Sequence, residues 1–323
     1  MIRRRADDRA TPHSHYDAVA DASAALVIRS YSSSFGLATR LLSESVRRDV
    51  RNIYALVRVA DEIVDAPRPG QDNDLRRTEL DGFEAETHQA MACGSSTNLV
   101  IHAFARTAAR TGIDTSLTTP FFASMRSDID CTCHDEQSLA AYIYGSAEVV
   151  GLMCVRAFLA DDPGREACYD DLAPGACRLG AAFQKVNFLR DLGADGGDLG
   201  RRYLPGLDPE QPSLVAWHRW LDDIDDDLAA AAATIPLLPA GCRVAVCTAH
   251  DLFAELSGRL RAAPPETAVR ERIRVPDPVK LRLAAAAALR RGQPRRREPD
   301  PRVTRLITAA DTTHDPATGP EPA

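Results

Sequence analysis

The sequence predicts an all-α protein, a single bundle of about ten helices around a central cavity. Three observations carry this. Apolar residues recur at helical spacing along most of the chain, while strand-type alternation is almost absent. The composition is 45% hydrophobic but only 6% aromatic and is rich in Ala and Leu. Polar motifs run from Ser32 to Lys280 and must converge to act together. The 323 residues would allow roughly two domains by length alone. Convergence favours one domain over 16–291, between a flexible N-terminus, 1–15, and a tail, 292–323, whose Pro, Arg, Asp and Thr cannot form a packed core.

Taken in order, residues 1–15 are charged and aperiodic, and a first helix is expected over 18–30. Ser32, Ser33 and Ser34 then precede an apolar segment, 37–42; serines there read first as helix caps and second as hydroxyls for a phosphate. The next helix opens at 43–45 with Val46, Val50, Ile53 and Val57 as its apolar ridge, and stops before Pro67 and Pro69. Helices follow over 75–92 and 99–110, and Pro120 is expected to start another that reaches Ile129. Residues 138–159 make a helix in which Gly145, Ser146, Ala147 and Gly151 permit close approach, either of a neighbouring helix or of an apolar ligand beneath Tyr142. A helix over 174–192 ends at Gly193, Gly196, Gly197 and Gly200. Further helices are expected over 217–234, 243–262 and 280–290. The acidic run Asp222, Asp223, Asp225, Asp226 and Asp227 reads as a solvated face.

The net charge of −7 gives no electrostatic footprint for nucleic acid. The 8 cysteines lack small-domain disulfide spacing and read as reduced, mostly buried thiols of a cytoplasmic protein. Cys131, Cys133 and His134 have no second pair with finger spacing, so they read as incidental. No apolar core follows Arg3, Arg4 and Arg5 as a signal would require. No segment is expected to reach the roughly 20 apolar residues of a membrane span.

Two polar stripes carry the chemistry. On a helical wheel Tyr54, Arg58, Asp61 and Asp65 fall within about 60° of one another, and Gln184, Asn187, Asp191 and Asp195 within about 80°. Both stripes are flanked by apolar residues, so they face inward or into a cavity. Carboxylates gathered there repel one another unless a cation intervenes, and Mg²⁺ commonly bridges carboxylates to a substrate phosphate. With Arg58, Arg190, Arg201, Arg272 and Lys280 available, a cavity with an acidic, metal-binding mouth and an apolar body suits a diphosphate ester with a long hydrocarbon tail.

The motifs are Tyr54-x-x-x-Arg58-x-x-Asp61-x-x-x-Asp65, Tyr142-x-Tyr144-x-x-Ala147-x-x-x-Gly151, Gln184-x-x-Asn187-x-x-Arg190-Asp191-x-x-x-Asp195 and Gly200-Arg201-x-Tyr203-Leu204-Pro205. In order and spacing they resemble the squalene/phytoene synthase family, the head-to-head prenyl transferases, over 31–290, and look most like its bacterial phytoene synthases. The resemblance implies an isoprenoid synthase fold. It implies Mg²⁺, with Mn²⁺ as a substitute, held by Asp61 and Asp65 on one side and by Asn187, Asp191 and Asp195 on the other. It implies substrate binding by Ser32, Ser34, Arg58, Arg190, Arg201, Tyr203, Arg272 and Lys280. Tyr54, Arg58, Tyr142 and Gln184 would form the reaction centre, with Tyr142 steering proton loss or shielding a cation. The implied reaction joins two geranylgeranyl diphosphates through a cyclopropyl diphosphate to phytoene, without NADPH. Prenyl diphosphates are then the partners, nucleic acid is not, and a peripheral membrane contact would serve product release; the oligomeric state stays open. A farnesyl diphosphate enzyme of the squalene or dehydrosqualene type, and a catalytically silent binding protein, are the alternatives. Ser33, Glu148 and Phe253 depart from the family's usual Lys or Arg, Gly and Tyr.

Overall fold

The computed structural model describes residues 12–32, 34–65, 70–197 and 201–290, except for the side chains at 12, 13, 34, 195 and 197. Ser33, Gly200, the side chains of Ser34 and Asp195, Pro67, Pro69 and the tail from 292 lie outside the described residues. Thirteen α-helices follow in order: α1 Pro12–Tyr31, α2 Ser34–Thr39, α3 Glu44–Asp65, α4 Asn73–Cys93, α5 Leu99–Thr111, α6 Thr115–Asp130, α7 Glu136–Ile143, α8 Val149–Phe158, α9 Arg165–Gly197, α10 Leu214–Thr234, α11 Ala240–Ala262, α12 Pro265–Arg270 and α13 Asp277–Arg290. A π turn, Tyr144–Glu148, joins α7 to α8, and a 3₁₀ turn, Ile235–Leu237, follows α10. No strand occurs among the described residues; Cys133 and Arg202 form one isolated parallel bridge. The described residues up to Ala287 make one compact unit, and of 288–323 only 288–290 are described.

The helices start where short polar side chains satisfy the first backbone N–H groups. Asp72, Asn98, Asp114, Asp135 and Ser213 cap α4, α5, α6, α7 and α10 in this way. On α3, Ile53, Leu56, Ala60 and Val64 recur at helical spacing and are each at most 1% exposed. They pack with Leu80, Phe104, Phe121, Phe122 and Met153 in one core cluster. At about 1.5–3 kcal/mol per fully buried large side chain, that face decides how α3 is rotated. The rotation turns Tyr54 and Arg58 away from the core. A second cluster joins α9, α10 and α11 through Val186, Leu189, Trp217, Leu221 and Leu256. A third, with Val50, Val155, Leu172, Ile235 and Leu238, closes the space between them at one end.

Several boundaries differ from expectation. The first helix begins at Pro12 rather than 18. Pro120 lies inside α6 and Pro174 inside α9, a helix of 33 residues. An interior proline costs about 3 kcal/mol, but Leu117, Phe121 and Phe122 are buried around the first, and Leu172, Ala181 and Ala182 along the second helix. Burial outweighs the lost backbone bond. Gly193 and Gly196 do not break α9: a Cβ at Gly193 would overlap the Val269 carbonyl, so glycine there admits α12 rather than ending a helix. The acidic run is not simply solvated. Asp227 is fully buried and accepts from Arg178 Nη1 at 2.7 Å and Lys185 Nζ at 2.8 Å. No cysteine forms a disulfide, as expected, but only Cys242 is buried and Cys93 and Cys133 are exposed. Against expectation, Glu136–Phe158 is long and apolar enough to cross a membrane by length and composition. Here it packs along α6 and α9, with Leu139, Ile143, Val149 and Met153 buried.

The small residues on 145–151 give both a close helix approach and open space, though that space is not beneath Tyr142, which does not line the cavity. Gly145 meets α6 so closely that a Cβ would overlap Pro120 O and Ser124 Oγ, while Ser146, Ala147 and Gly151 line the cavity. The π turn carries one residue more than an α-turn would, and Ser124 Oγ donates to Tyr142 O at 3.1 Å beside it. Gly145→Ala should therefore lower the unfolding free energy by about 1–3 kcal/mol. Denaturant titration checks this; parental stability would show that α6 is not pressed against the turn.

Candidate active site

A cavity of about 980 Å³ runs through the bundle. Its body is apolar, with Leu42, Val50, Val155, Phe158, Leu172 and Leu238 toward the closed end. Arg58 from α3, Asn187 and Arg190 from α9, Arg272, and Lys280 from α13 line the other end. Tyr54 and Arg58 of one stripe and Asn187 of the other thus line one chamber from two helices. Tyr54 lies on the wall with its ring stacked on Phe35 at 5.6 Å, and burial raises its phenol pKa. Ser32 Oγ accepts the Phe35 N–H at 3.2 Å, as a cap would, and Ser32 also lines the cavity. Phe253, where a tyrosine was the family expectation, stacks on Phe183 at 3.8 Å and adds an apolar wall. Glu148 does not line the cavity; burial raises its pKa, and the Cys177 thiol hydrogen-bonds to it.

The described carboxylates of the stripes, Asp61, Asp65 and Asp191, do not line the cavity themselves; each has an arginine beside it, and of these Arg58, Arg190 and Arg272 do line it. Asp61 Oδ2 lies 3.9 Å from Arg58 Nη1, whose guanidinium also pairs with Glu62. Asp65 Oδ1 accepts from Arg201 Nη1 at 2.6 Å. Asp191 is gripped twice, by Arg190 Nε at 2.9 Å and by Arg272 Nε at 2.9 Å. Asp61 remains short of positive charge: burial, then the neighbouring Asp65, push it up to about 8. A carboxylate in that condition, on an oxygen-only donor set, fits a hard divalent cation. Among the described residues no three His, Cys, Asp or Glu side chains cluster as a ready-made cage.

Besides those three carboxylates, four further expected site residues lie off the cavity wall. Arg201 and Tyr203 do not line the cavity; they are 7% and 8% exposed. Arg201 spends its donors on Asp65, on Val64 O at 3.1 Å and on Tyr203 at 3.2 Å, which leaves them turned away from the chamber. Tyr142 is 5% exposed and also off the cavity wall, its hydroxyl donated to Asp128 Oδ2 at 2.6 Å. Gln184, half-buried on α9, is likewise absent from the lining. Asp128 itself was not foreseen. It is 7% exposed and accepts the Tyr203 hydroxyl at 2.8 Å as well. The signal was its spacing: it continues the buried face of Phe121 and Met125 on α6, where a carboxylate needs partners. His134, set aside with the cysteines, stacks on Tyr203 at 5.7 Å.

The sequence model of the family described as Squalene/phytoene synthase matches residues 28–278. The chain belongs to this family. It is similar to a 15-cis-phytoene synthase of a Paracoccus species, with 28% identity over 78% of this chain and 85% of that protein. It is 32% identical to a chloroplastic phytoene synthase 3 of Zea mays over 58% of this chain, spanning 43% of that longer protein. In structure it is similar to a dehydrosqualene synthase solved with a ligand, at a TM-score of 0.71 and 21% identity, covering 87% of this chain and 99% of that one. The fold is therefore that of the isoprenoid synthases, and the family's activity is that of a prenyl transferase.

The state of Asp61 has a consequence for stability. Its pKa is about 8 folded against 3.8 as a free side chain, so between those values the folded chain binds the extra proton. Stability then falls as pH rises across the window in metal-free buffer. Asp61→Asn cannot ionise; it should be more stable than the parent at the upper end, with the gap closing toward the lower end. Denaturant midpoints in excess chelator measure this, and a gap that does not change with pH would show that Asp61 is already compensated.

Proposed function

We propose that the protein condenses two geranylgeranyl diphosphates head to head to give phytoene, with Mg²⁺ and without a nicotinamide cofactor. The observation that carries this is the single chamber of about 980 Å³, apolar along its body and lined by Arg58, Asn187, Arg190, Arg272 and Lys280 at its mouth. That volume is at the top of the range for small-molecule sites and suits long hydrocarbon chains. The phytoene synthases among its relatives support the substrate choice.

The arginines and Lys280 hold the diphosphate oxygens and stabilise the charge that develops as the C1–O bond of one substrate breaks. Asp61, Asp65, Asn187 and Asp191 would hold Mg²⁺, which when bound neutralises the departing diphosphate. The freed C1 bonds to the double bond of the second substrate, and loss of one proton closes the cyclopropyl diphosphate. Its diphosphate leaves in turn, the carbon skeleton rearranges, and loss of a second proton gives the hydrocarbon; no electron donor enters the balance. The walls from Phe35, Tyr54, Phe183 and Phe253 keep water from the cations and present ring faces to them. A C40 hydrocarbon needs an apolar receiver, so the reading includes a peripheral contact with a membrane from the cytoplasmic side.

Asp61→Ala and Asp191→Ala should each lower kcat/KM by at least about 10²-fold, since a bound metal supplies several kcal/mol of charge stabilisation. Both should stay folded, and excess chelator should abolish parental turnover. Near-parental activity of either variant would remove its helix from the metal face.

The substrate is decided by competition between equal concentrations of geranylgeranyl and farnesyl diphosphate. The longer chain should show the higher kcat/KM, with phytoene formed in the absence of NADPH. Preference for farnesyl diphosphate, or a requirement for NADPH, would replace the phytoene reading with a squalene-type or dehydrosqualene-type one. Absence of any condensation would favour a silent binding protein.

A further inference from the structure

Behind the mouth lies a buried polar chain that takes no part in lining the cavity. Arg201 Nη1 donates to Asp65 Oδ1 at 2.6 Å and to the Tyr203 oxygen at 3.2 Å. Tyr203 donates to Asp128 Oδ1 at 2.8 Å, and Tyr142 donates to Asp128 Oδ2 at 2.6 Å. Every direction in this chain is forced. Guanidinium only donates and an ionised carboxylate only accepts, so each phenol must point its proton at Asp128. The segment that carries Arg201 and Tyr203 is itself pinned: Arg202 N donates to Thr132 O at 2.7 Å and His134 N to Arg202 O at 3.3 Å. The Tyr203 ring is covered by Phe188 at 4.2 Å and by His134 at 5.7 Å, both nearly parallel to it. Phe188 adjoins Asn187 on α9, and Asp65 ends α3. The hydrogen-bonded network therefore reaches the end of the first stripe at Asp65, and its Tyr203 ring packs against α9 at Phe188.

We propose that Asp128 is a positioning residue: by accepting both phenols it fixes Tyr142 and Tyr203, and through Tyr203 and Arg201 it sets the direction of the Asp65 carboxylate at the cavity mouth. The inference rests on the reading of that mouth as the cation-binding face. An asparagine at 128 has the same shape but one acceptor and one donor. One phenol must then reverse its hydrogen bond, and the forced direction of the chain is lost. The three groups at its core, Asp128, Tyr203 and Arg201, are all at most 8% exposed, so no bulk water can substitute for the missing acceptor.

The test compares Asp128→Asn, Tyr203→Phe and the double variant with the parent. It uses two readouts: steady-state kinetics with geranylgeranyl diphosphate, and Mn²⁺ binding followed by electron paramagnetic resonance without substrate. Groups that orient metal ligands through hydrogen bonds typically govern about 10–100-fold in activity or metal affinity. Asp128→Asn should lose that much in kcat with KM within about twofold, and Mn²⁺ affinity should fall with it. Tyr203→Phe should act in the same direction, and the double variant should be no worse than the weaker single one, because both cut one chain. A folded Asp128→Asn with parental kcat and Mn²⁺ affinity would overturn the proposal, as would single effects that simply multiply. If Asp128→Asn does not fold, Tyr203→Phe decides, since it leaves the carboxylate and its Tyr142 bond in place; parental values there overturn the proposal. Asp65→Ala separates the two levels. Turnover retained in Asp65→Ala removes the cation-binding reading itself, whereas an inactive Asp65→Ala beside a parental Asp128→Asn removes only the role of Asp128.

Discussion

The carboxylates at the cavity mouth can exist together only if positive charge is built in around them. Two kinds of arginine supply it. Arg58, Arg190 and Arg272 line the cavity and are partly open, so the same guanidinium that steadies Asp61 or Asp191 can also meet a diphosphate. Arg201 is enclosed and faces only protein. Burial alone would lower its pKa, but Tyr203, Asp128 and Asp65 outweigh that and raise it, so it stays a fixed cation. The division separates structural compensation from charge that is free to engage a ligand. Asp61, with only a distant contact to Arg58, is the carboxylate left wanting a cation.

Holding these charges on facing helices requires the helices themselves to be immovable. The core faces of α3 and α9 are fully buried at Leu56, Ala60, Val186 and Leu189, and each face turns the opposite side of its helix toward the chamber. The π turn at Tyr144–Glu148 shifts the register of the wall between α7 and α8. That shift lets Gly145 press on α6 while Ser146 and Ala147 open onto the cavity. A continuous α-helix there would present the same residues on a different face. The close approach to α6 and the opening onto the cavity thus come from one irregularity.

Much of this was legible in the sequence, because helical spacing carries both the core faces and the two stripes. Ile53, Leu56 and Val64 on one side and Tyr54, Arg58, Asp61 and Asp65 on the other can be separated by angle alone. What local pattern could not show depends on tertiary context. Pro120 and Pro174 read as helix starts, yet the burial around them carries the helix through. The family resemblance assigned Arg201 and Tyr203 to substrate binding, but their partners, Asp65 and Asp128, lie on other helices and turn them inward. Asp227 read as solvated within an acidic run, while Lys185 and Arg178, some forty residues upstream, bury it. In each case the missing information was the identity of a partner distant in sequence, which spacing does not encode.

The chamber has to reconcile two opposite solvents. A diphosphate needs fixed cations and a carbocation needs their absence, since guanidinium groups beside it would repel it. The lining meets this by distance rather than by shielding: its arginines and Lys280 gather at one end, and beyond Tyr54 the wall is carried by aliphatic side chains and by the Phe35 and Phe183–Phe253 rings. Phe253 sharpens that partition, because a phenol in its place would bring a polar group onto the Phe183–Phe253 wall. Under the proposed reaction, diphosphate binding falls to Arg58, Arg190 and Arg272, which also neutralise Asp61 and Asp191, and to Lys280, which pairs with Asp277. On that proposal, binding of substrate and release of those carboxylates toward a metal would be one coupled step, and the buried Arg201–Asp128 network would hold Asp65 in place while the outer arginines change partners.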